Sequence, residues 1–354
     1  MIRVLVVDDS ALVRKILTQE LSRFPDIDVV GSAVDPYAAR DKIVALNPDV
    51  VTLDVEMPRM DGLSFLERLM RYHPKPVIVV SSLTPEHGEL AIRAMALGAV
   101  DVIAKPGSAL SVPDVADRLA HAVRAASAAH VERRVALAPA PAAGAAAKKS
   151  PALALRTTDK IVAIGASTGG TRAIEVVLRD LPPDCPGVLI VQHMPERFTE
   201  SLARRLDSVC RIEVREAKDN DPVVPGVALI APGGRHMELC RSGARYYVMT
   251  NEAPPRHFQR PAVDVLFESV AERAGANAVG ALLTGMGADG ADGLLRMRKA
   301  GAHTIAEDER TCVVYGMPKE AIDRGAAEEV LPLDQVARGI INSRVLQGEM
   351  ASVS

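Results

Sequence analysis

Residues 161–170 read IVAIGASTGG, and the fold of the chain turns on this stretch. Ile161-Val162-Ala163-Ile164 is a short, largely β-branched apolar run of the kind that forms a buried parallel strand. The strand is expected to stop at Gly165. Ser167 then sits in Gly165-Ala166-Ser167-Thr168-Gly169, a G-x-S-x-G spacing. A helical pattern follows over 171–179. Small residues on both sides let the backbone turn sharply and expose a serine hydroxyl where strand hands over to helix. The first N–H groups of that helix point toward the same spot and stabilise negative charge developing there. The stretch also suits a plain strand-to-helix turn with a Ser or Thr N-cap, or a phosphate cradle, and alone it leaves these readings open.

The rest of the second half supplies partners for Ser167. A buried strand over 188–192 ends at His193-Met194-Pro195, and a helix is predicted over 198–206. Short strands over 211–216 and 227–230 lead to Ala231-Pro232-Gly233-Gly234 and a hairpin over 236–249. A helix over 262–273 precedes a strand over 278–283, which ends in Thr284-Gly285-Met286-Gly287-Ala288-Asp289-Gly290. A helix to residue 299, a strand over 304–306 and helices over 318–323 and 334–342 complete the pattern. This alternation means α/β architecture with a mainly parallel sheet. Ser167, His193 and Asp289 fall at or just beyond the carboxyl ends of three strands, where side chains converge. A serine hydroxyl needs a base within hydrogen-bond reach, and that base needs an orienting carboxylate. The order Ser–His–Asp differs from the Ser–Asp–His of α/β-hydrolases, so the turn is not read as that fold. The glycines around Met286 let backbone N–H groups approach an oxyanion. Taken singly, His193 also suits a packed or surface histidine, and Asp289 a cap for the following helix.

The first half reads as five strand–helix units: strands over 2–7, 28–34, 49–53, 76–80 and 100–104, helices over 12–21, 36–46, 63–72, 85–97 and 113–125. Such alternation makes a doubly wound parallel sheet with its ligand site at the carboxyl ends of the strands. Asp8, Asp9, Asp54, Ser81 and Lys105 all fall at those ends. The carboxylates of Asp8, Asp9 and Asp54 repel one another unless a hard cation joins them, and Mg²⁺ is the natural occupant. Asp54 can then attack a phosphoryl group to give an aspartyl phosphate, with Ser81 and Lys105 receiving its oxygens. The plainer alternative makes Asp8-Asp9 a helix cap and Lys105 a solvated charge.

At 354 residues, about two domains are expected. Between the halves, residues 126–157 are rich in Ala and Pro; the first part can extend the fifth helix, and Pro139-Ala140-Pro141-Ala142-Ala143-Gly144 is a linker. The net charge of −3, the absence of Trp and an aromatic content of 3% argue against a nucleic-acid partner. Cys185, Cys210, Cys240 and Cys312 lack metal-ligand or C-x-x-C spacing and are expected as reduced, mostly buried thiols. No signal peptide and no membrane-spanning run are found, so a cytoplasmic protein without membrane insertion is expected. The second half shows no metal-ligand spacing, and hydrolysis there is expected to need no cofactor.

Residues 1–125 resemble a response-regulator receiver domain on Asp8-Asp9, the Asp54-x-x-Met57-Pro58-x-Met60-Asp61-Gly62 run, Ser81 and Lys105-Pro106. The resemblance implies a flavodoxin-like (βα)5 fold and a histidine kinase that phosphorylates Asp54. It also implies Mg²⁺ held by Asp8, Asp9, Asp54 and the backbone carbonyl of Glu56. Many receivers carry a switching aromatic three residues before the lysine; this chain has Val102, so an aromatic switch cannot operate there, and the loop after Ser81 is the alternative carrier.

Residues 158–348 resemble the catalytic domain of the chemotaxis protein-glutamate methylesterases. The carrying motifs are Gly165-Ala166-Ser167-Thr168-Gly169-Gly170, Gln192-His193-Met194-Pro195, Ala231-Pro232-Gly233-x-Arg235-His236, Arg260-Pro261-x-Val263-Asp264-x-Leu266-Phe267 and Thr284-Gly285-Met286-Gly287-x-Asp289-Gly290. The resemblance implies Ser167 as nucleophile, His193 as general base and then acid, and Asp289 as the orienting carboxylate of a triad. Thr168 and Met286 are assigned oxyanion and substrate contacts, and His236 and His257 structural or groove positions. The implied substrates are glutamate methyl esters on the cytoplasmic helices of chemoreceptors, with glutamine deamidation on the same receptors. In the resting state the receiver is expected to dock over the Ser167 cleft and to loosen on phosphorylation. Two alternatives stand beside this: a receptor-binding adaptor, or a paralogous methylesterase in a non-motility pathway.

Overall fold

The computed structural model describes residues 1–57, 62–82, 84–105, 112–129 and 160–347. The expectations for the turn over 58–61, for Pro106 and for most of the linker lie outside these residues. The chain divides into two compact units, Met1–Ala138 and Pro139–Ser354.

In the first unit, strands Ile2–Val7 (β1), Ile27–Ala33 (β2), Val50–Leu53 (β3), Val77–Ser81 (β4) and Asp101–Ala104 (β5) alternate with helices Ala11–Leu21 (α1), Pro36–Leu46 (α2), Gly62–Tyr72 (α3), Pro85–Leu97 (α4) and Val112–Ser127 (α5). All strand pairs are parallel, in the order β2-β1-β3-β4-β5. The helices begin where the sequence offers caps and a preset φ: the Asp35 carboxylate accepts from Ala38 N at 2.9 Å, and Pro36 opens α2. Ser10, not Asp8 or Asp9, caps α1. The order reverses at β1, whose neighbours are β2 and β3, and Asp8 and Asp54 leave the sheet at that switch point.

The second unit contains strands Ile161–Ala166 (β6), Gly187–Gln192 (β7), Glu213–Glu216 (β8), Val227–Ile230 (β9), His236–Ser242 (β10), Arg245–Asn251 (β11), Ala278–Leu282 (β12), His303–Glu307 (β13) and Glu329–Leu331 (β14). Its helices are Gly170–Asp180 (α6), Phe198–Val209 (α7), Val263–Arg273 (α8), Ala291–Lys299 (α9), Met317–Asp323 (α10), Leu333–Asn342 (α11) and Arg344–Gln347 (α12). Seven strands form one sheet in the order β14-β13-β12-β6-β7-β9-β8, with every pairing parallel. Strands β10 and β11 form a separate antiparallel hairpin.

Three departures from the sequence reading have physical causes. The first strand of this unit does not stop at Gly165; it runs on to Ala166, with Gly165 paired to Leu282 and Val191. Gly165 is there because α8 passes so close that a Cβ would lie 2.2 Å from Val263 Cγ1. The strand over 304–306 extends to the polar ends His303 and Glu307, both buried. The edge strand β14 was not expected, having only three residues and an exposed face. Strand β6 is central, between β12 and β7, and the chain reverses direction across the sheet there. A site at its carboxyl end follows.

Candidate active site

Ser167 is the first residue beyond β6 and is 7% exposed. Its backbone is held on both sides. Its N–H donates to Thr284 O at 3.0 Å, and its carbonyl accepts from Gly170 N at 2.7 Å and Gln192 Nε2 at 2.9 Å. Helix α6 has Gly169, at φ 80°, as N-cap and no side-chain cap. The hydroxyl of Ser167 is therefore not spent on capping, which removes the Ser/Thr N-cap alternative.

His193 follows β7 immediately, with its backbone N–H on Ala166 O at 3.1 Å. Its Nε2 lies 2.7 Å from Asp289 Oδ2, in a pair whose side chains are 6% and 2% exposed. A carboxylate partner fixes the proton on Nε2 and leaves the lone pair on Nδ1. The nitrogen that faces the carboxylate is thus the opposite one from the serine-protease arrangement, in which Nδ1 faces it.

Asp289 does not cap the helix that follows it; Gly290 is the N-cap of α9. Its carboxylate instead caps α8: Oδ2 accepts from Val263 N at 2.7 Å and Oδ1 from Asp264 N at 2.9 Å. Burial alone would push this carboxyl up. The hydrogen bond and charge of His193 and the two α8 N–H groups outweigh burial and hold it below its ordinary value. Asp264 returns the arrangement, its Oδ1 accepting from Gly293 N in the first turn of α9 at 2.6 Å. Burial, and next the charge of Asp289, push Asp264 up. The two aspartates therefore cap each other's helices crosswise.

Asp264 Oδ2 also meets His257 Nε2 at 2.9 Å. His257, Asp264 and Asp289 each bring a potential ligand atom within 4.8 Å of the others, a grouping the spacing did not announce and a correction to the reading of the second half. Both aspartates already accept backbone N–H bonds. His236 is internal: Nδ1 accepts from Ala262 N at 3.2 Å and Nε2 donates to Pro254 O at 3.1 Å.

The loop after β12 lies flat against the serine. Gly285 N donates to Val314 O, and Gly285 O accepts from Gly316 N and Met317 N at 3.1 and 2.8 Å. A Cβ on Gly285 would lie 2.6 Å from Ser167 Cβ and 2.4 Å from Met317 Sδ, so only glycine allows this approach. Among the described residues, the N–H groups of Met286 and Gly287 have no hydrogen-bond acceptor. They are free to meet an anion. Thr168 is 3% exposed, and its carbonyl accepts from Thr284 Oγ1 at 3.0 Å.

Sequence reading missed Glu307 entirely. It is fully buried at the end of β13; Oε2 accepts from Thr284 N at 2.8 Å, and Oε1 makes no well-aligned hydrogen bond among the described residues. Burial pushes this carboxyl up from 4.5. Its folded-state value lies above the unfolded one, so its contribution is fully present below pH 4.5 and is lost as pH rises through the folded value. Glu307→Gln keeps an acceptor for Thr284 N and cannot ionise. Denaturant titrations should then show the variant gaining on wild type as pH rises from 4.5 to 8; a difference independent of pH would sink this account. Glu307→Ala leaves Thr284 N unpaired and should cost about 1–3 kcal/mol.

In the first unit, Asp8, Asp9 and Asp54 bring carboxylate oxygens within 4.8 Å of one another. Asp54 Oδ2 lies 2.7 Å from Lys105 Nζ, Asp8 Oδ2 lies 3.2 Å from it, and Asp54 Oδ1 accepts from Glu56 N at 3.0 Å. Burial would push Lys105 down, but Asp54 and Asp8 outweigh it and hold the ammonium above its ordinary value. At 16% side-chain exposure it is no solvated charge. Burial, more than the charge of Asp54, pushes Asp8 up. Among the described residues the buried Asp8 Oδ2 meets only Lys105, at 3.2 Å and without well-aligned hydrogen-bond geometry, so it keeps a lone pair for a hard cation. Ser81 Oγ donates to Glu56 Oε1 at 3.2 Å. Val102 is 1% exposed in β5, in register with Val79, an aliphatic core residue.

The cysteines Cys185 and Cys312 are buried, Cys210 and Cys240 partly so, and all are unpaired. Burial pushes the Cys185 and Cys210 thiols up to about 12. No helix of the described residues is long and apolar enough to cross a membrane.

Comparison with known proteins gives the family. The family model described as CheB methylesterase matches residues 162–340, and that of the response regulator receiver domain matches residues 4–114. The chain is 59% identical over 344 residues to "Protein-glutamate methylesterase/protein-glutamine glutaminase 2" of Syntrophus aciditrophicus (strain SB), covering 96% of this chain and 98% of that protein. It is 56% identical over 340 residues to the corresponding protein 4 of Anaeromyxobacter dehalogenans (strain 2CP-C), covering 96% and 94%. The crystal structure of the Thermotoga maritima CheB methylesterase catalytic domain superposes with a TM-score of 0.51 at 40% identity, covering 52% of this chain and 98% of that one. Matches of this extent mean that the chain belongs to the CheB methylesterase family.

Proposed function

We propose that this protein is a phosphorylation-controlled protein-glutamate methylesterase and protein-glutamine glutaminase acting on chemoreceptors, which resets receptor sensitivity in chemotaxis. The observation that carries the reading is the 2.7 Å bond between His193 Nε2 and Asp289 Oδ2, which leaves His193 Nδ1 as a base beside the strand that delivers Ser167. Residues 1–125 are the receiver, 126–157 the linker and 158–348 the catalytic domain in this reading.

The chemistry follows from the residues. His193 Nδ1 takes the Ser167 proton as Oγ attacks the γ-carbonyl of a glutamate methyl ester. The imidazolium is held by Asp289, which stays ionised. The N–H groups of Met286 and Gly287 receive the oxyanion, and Thr168 lines the substrate side. His193 then protonates the leaving methanol, or ammonia from glutamine. Water, activated by the same nitrogen, frees the carboxylate from Ser167.

In the receiver, Asp54 accepts a phosphoryl group from a histidine kinase. Mg²⁺ bound by Asp8, Asp9, Asp54 and the carbonyl of Glu56 would neutralise the phosphoryl charge. Lys105 and Ser81 meet the phosphoryl oxygens, and Lys105 must leave Asp54 to do so. Docking of the receiver over the serine cleft, loosened by phosphorylation, is the proposed control. Methanol release from methylated receptor membranes tests the scheme. It should rise when beryllofluoride and Mg²⁺ are added, and Asp54→Ala should remove the rise. Release that ignores beryllofluoride would overturn the control.

A further inference from the structure

Arg256 and Gln259 exchange two backbone hydrogen bonds, Arg256 N to Gln259 O at 3.0 Å and Gln259 N to Arg256 O at 2.8 Å. The two residues between them, His257 and Phe258, have φ of 51° and 62°. This is a two-residue turn of the type that ordinarily takes Asn-Gly, because both positions are left-handed. A histidine and a phenylalanine there are strained. The turn is nonetheless fixed at its base. Arg256 Nη1 lies 2.5 Å from Glu268 Oε2 on α8, and His257 Nε2 lies 2.9 Å from Asp264 Oδ2.

What the strain achieves is visible at the tip. Phe258 is 95% exposed, the most exposed large apolar side chain among the described residues. It follows directly on a histidine whose ring nitrogen lies within 4.8 Å of an Asp289 carboxylate oxygen. A rigid turn thus holds an aromatic ring in solvent at the rim of the site, with no gain to the fold. Strain kept against the preference of the chain, beside reacting groups, marks a functional contact. An aromatic on a preorganised support is the usual anchor of a protein interface.

We infer that Phe258 is a specificity-determining residue that packs on an apolar strip of the protein substrate beside the scissile glutamate ester. The inference rests on the receptor-substrate reading above. It separates two substrate classes. On this inference a small ester should be cleaved independently of Phe258, whereas an ester carried on a helix should bring neighbouring side chains against it.

The test compares wild type, Phe258→Gly and Phe258→Leu on methylated receptor membranes and on p-nitrophenyl acetate. Phe258→Gly relieves the backbone strain and should raise the Tm. It should also raise KM for receptors about tenfold, the loss expected for one buried aromatic anchor, with little change in kcat. The ratio of receptor to small-ester kcat/KM should fall by the same factor. Phe258→Leu, which keeps an apolar tip, should recover most of the loss. The inference is overturned if receptor KM is unchanged in Phe258→Gly, or if both substrates lose activity together. If wild type cleaves the small ester but releases no methanol from receptor membranes, the substrate reading itself fails, a result distinct from either.

Discussion

Ser167→Ala should lower methanol release from methylated receptors by about 10⁶-fold, the usual consequence of losing a triad nucleophile. The variant isolates chemistry from folding. The contacts that hold Ser167 in place are made by its backbone: N–H to Thr284 O, and carbonyl from Gly170 N and Gln192 Nε2. An alanine keeps all of them and still fits against Gly285. The Tm should therefore move by no more than about 0.5 kcal/mol of stability would move it. The residual rate should remain above that of water, because the N–H groups of Met286 and Gly287 are untouched. The same variant decides between enzyme and receptor-binding adaptor: an adaptor would keep its full signalling output with alanine at 167. Measurable methanol release at more than a hundredth of the wild-type rate would mean that the nucleophile has been misassigned.

Asp289→Asn should be the second most damaging change, and it should damage two things at once. The carboxylate accepts from His193 Nε2, Val263 N and Asp264 N. An asparagine has one acceptor oxygen, so its NH₂ must take the place of Oδ2, facing the imidazole together with Val263 N, or of Oδ1, facing Asp264 N at the start of α8. Facing the imidazole, it forces the proton onto Nδ1 and removes the base; a loss of about 10⁴ in kcat is expected. Facing α8, it sets donor against donor in a buried site, at about 1–3 kcal/mol. The pH dependence follows from the sign of the shift. Asp289 lies below 3.8 in the folded protein, so its contribution is present above the unfolded value and is lost as pH falls through the folded one. Wild-type and variant stabilities should converge as pH drops below 3.8. Stability curves that stay parallel through that range would refute the assignment of the carboxylate.

The elements were legible where apolar runs met punctuation. Helices α2 and α4 begin at prolines after capping residues, and the strands leading to Asp54, Ser167 and His193 are apolar runs interrupted only by Thr52 and Gln192. These runs also brought the candidate residues to one end of each sheet, since a parallel strand delivers whatever follows it to the carboxyl edge. The contacts that organise the site were not legible, because they join residues far apart in sequence. Glu307 holds Thr284 across 23 positions, and Asp264 holds Gly293 across 29. Asp264 sits among Val263, Leu266 and Phe267, where helical periodicity marks a buried face and has nothing to say about its partner. Which nitrogen of His193 meets Asp289 is likewise a matter of ring orientation. Gly165 misled in the other direction: a glycine commonly ends a strand, but here it lets a helix approach.

The crosswise capping of α8 and α9 ties the lifetime of the site to that of secondary structure. To release Asp289 from His193 by rotation is also to strip the first turn of α8 of its acceptors. Opening α8 in turn takes Asp264 from α9. The aspartate, the histidine and the two helix starts thus form one cooperative opening unit. Amide exchange at Val263, Asp264 and Gly293 should then share a single opening free energy, which makes three backbone protons a direct gauge of how long the catalytic geometry persists between excursions.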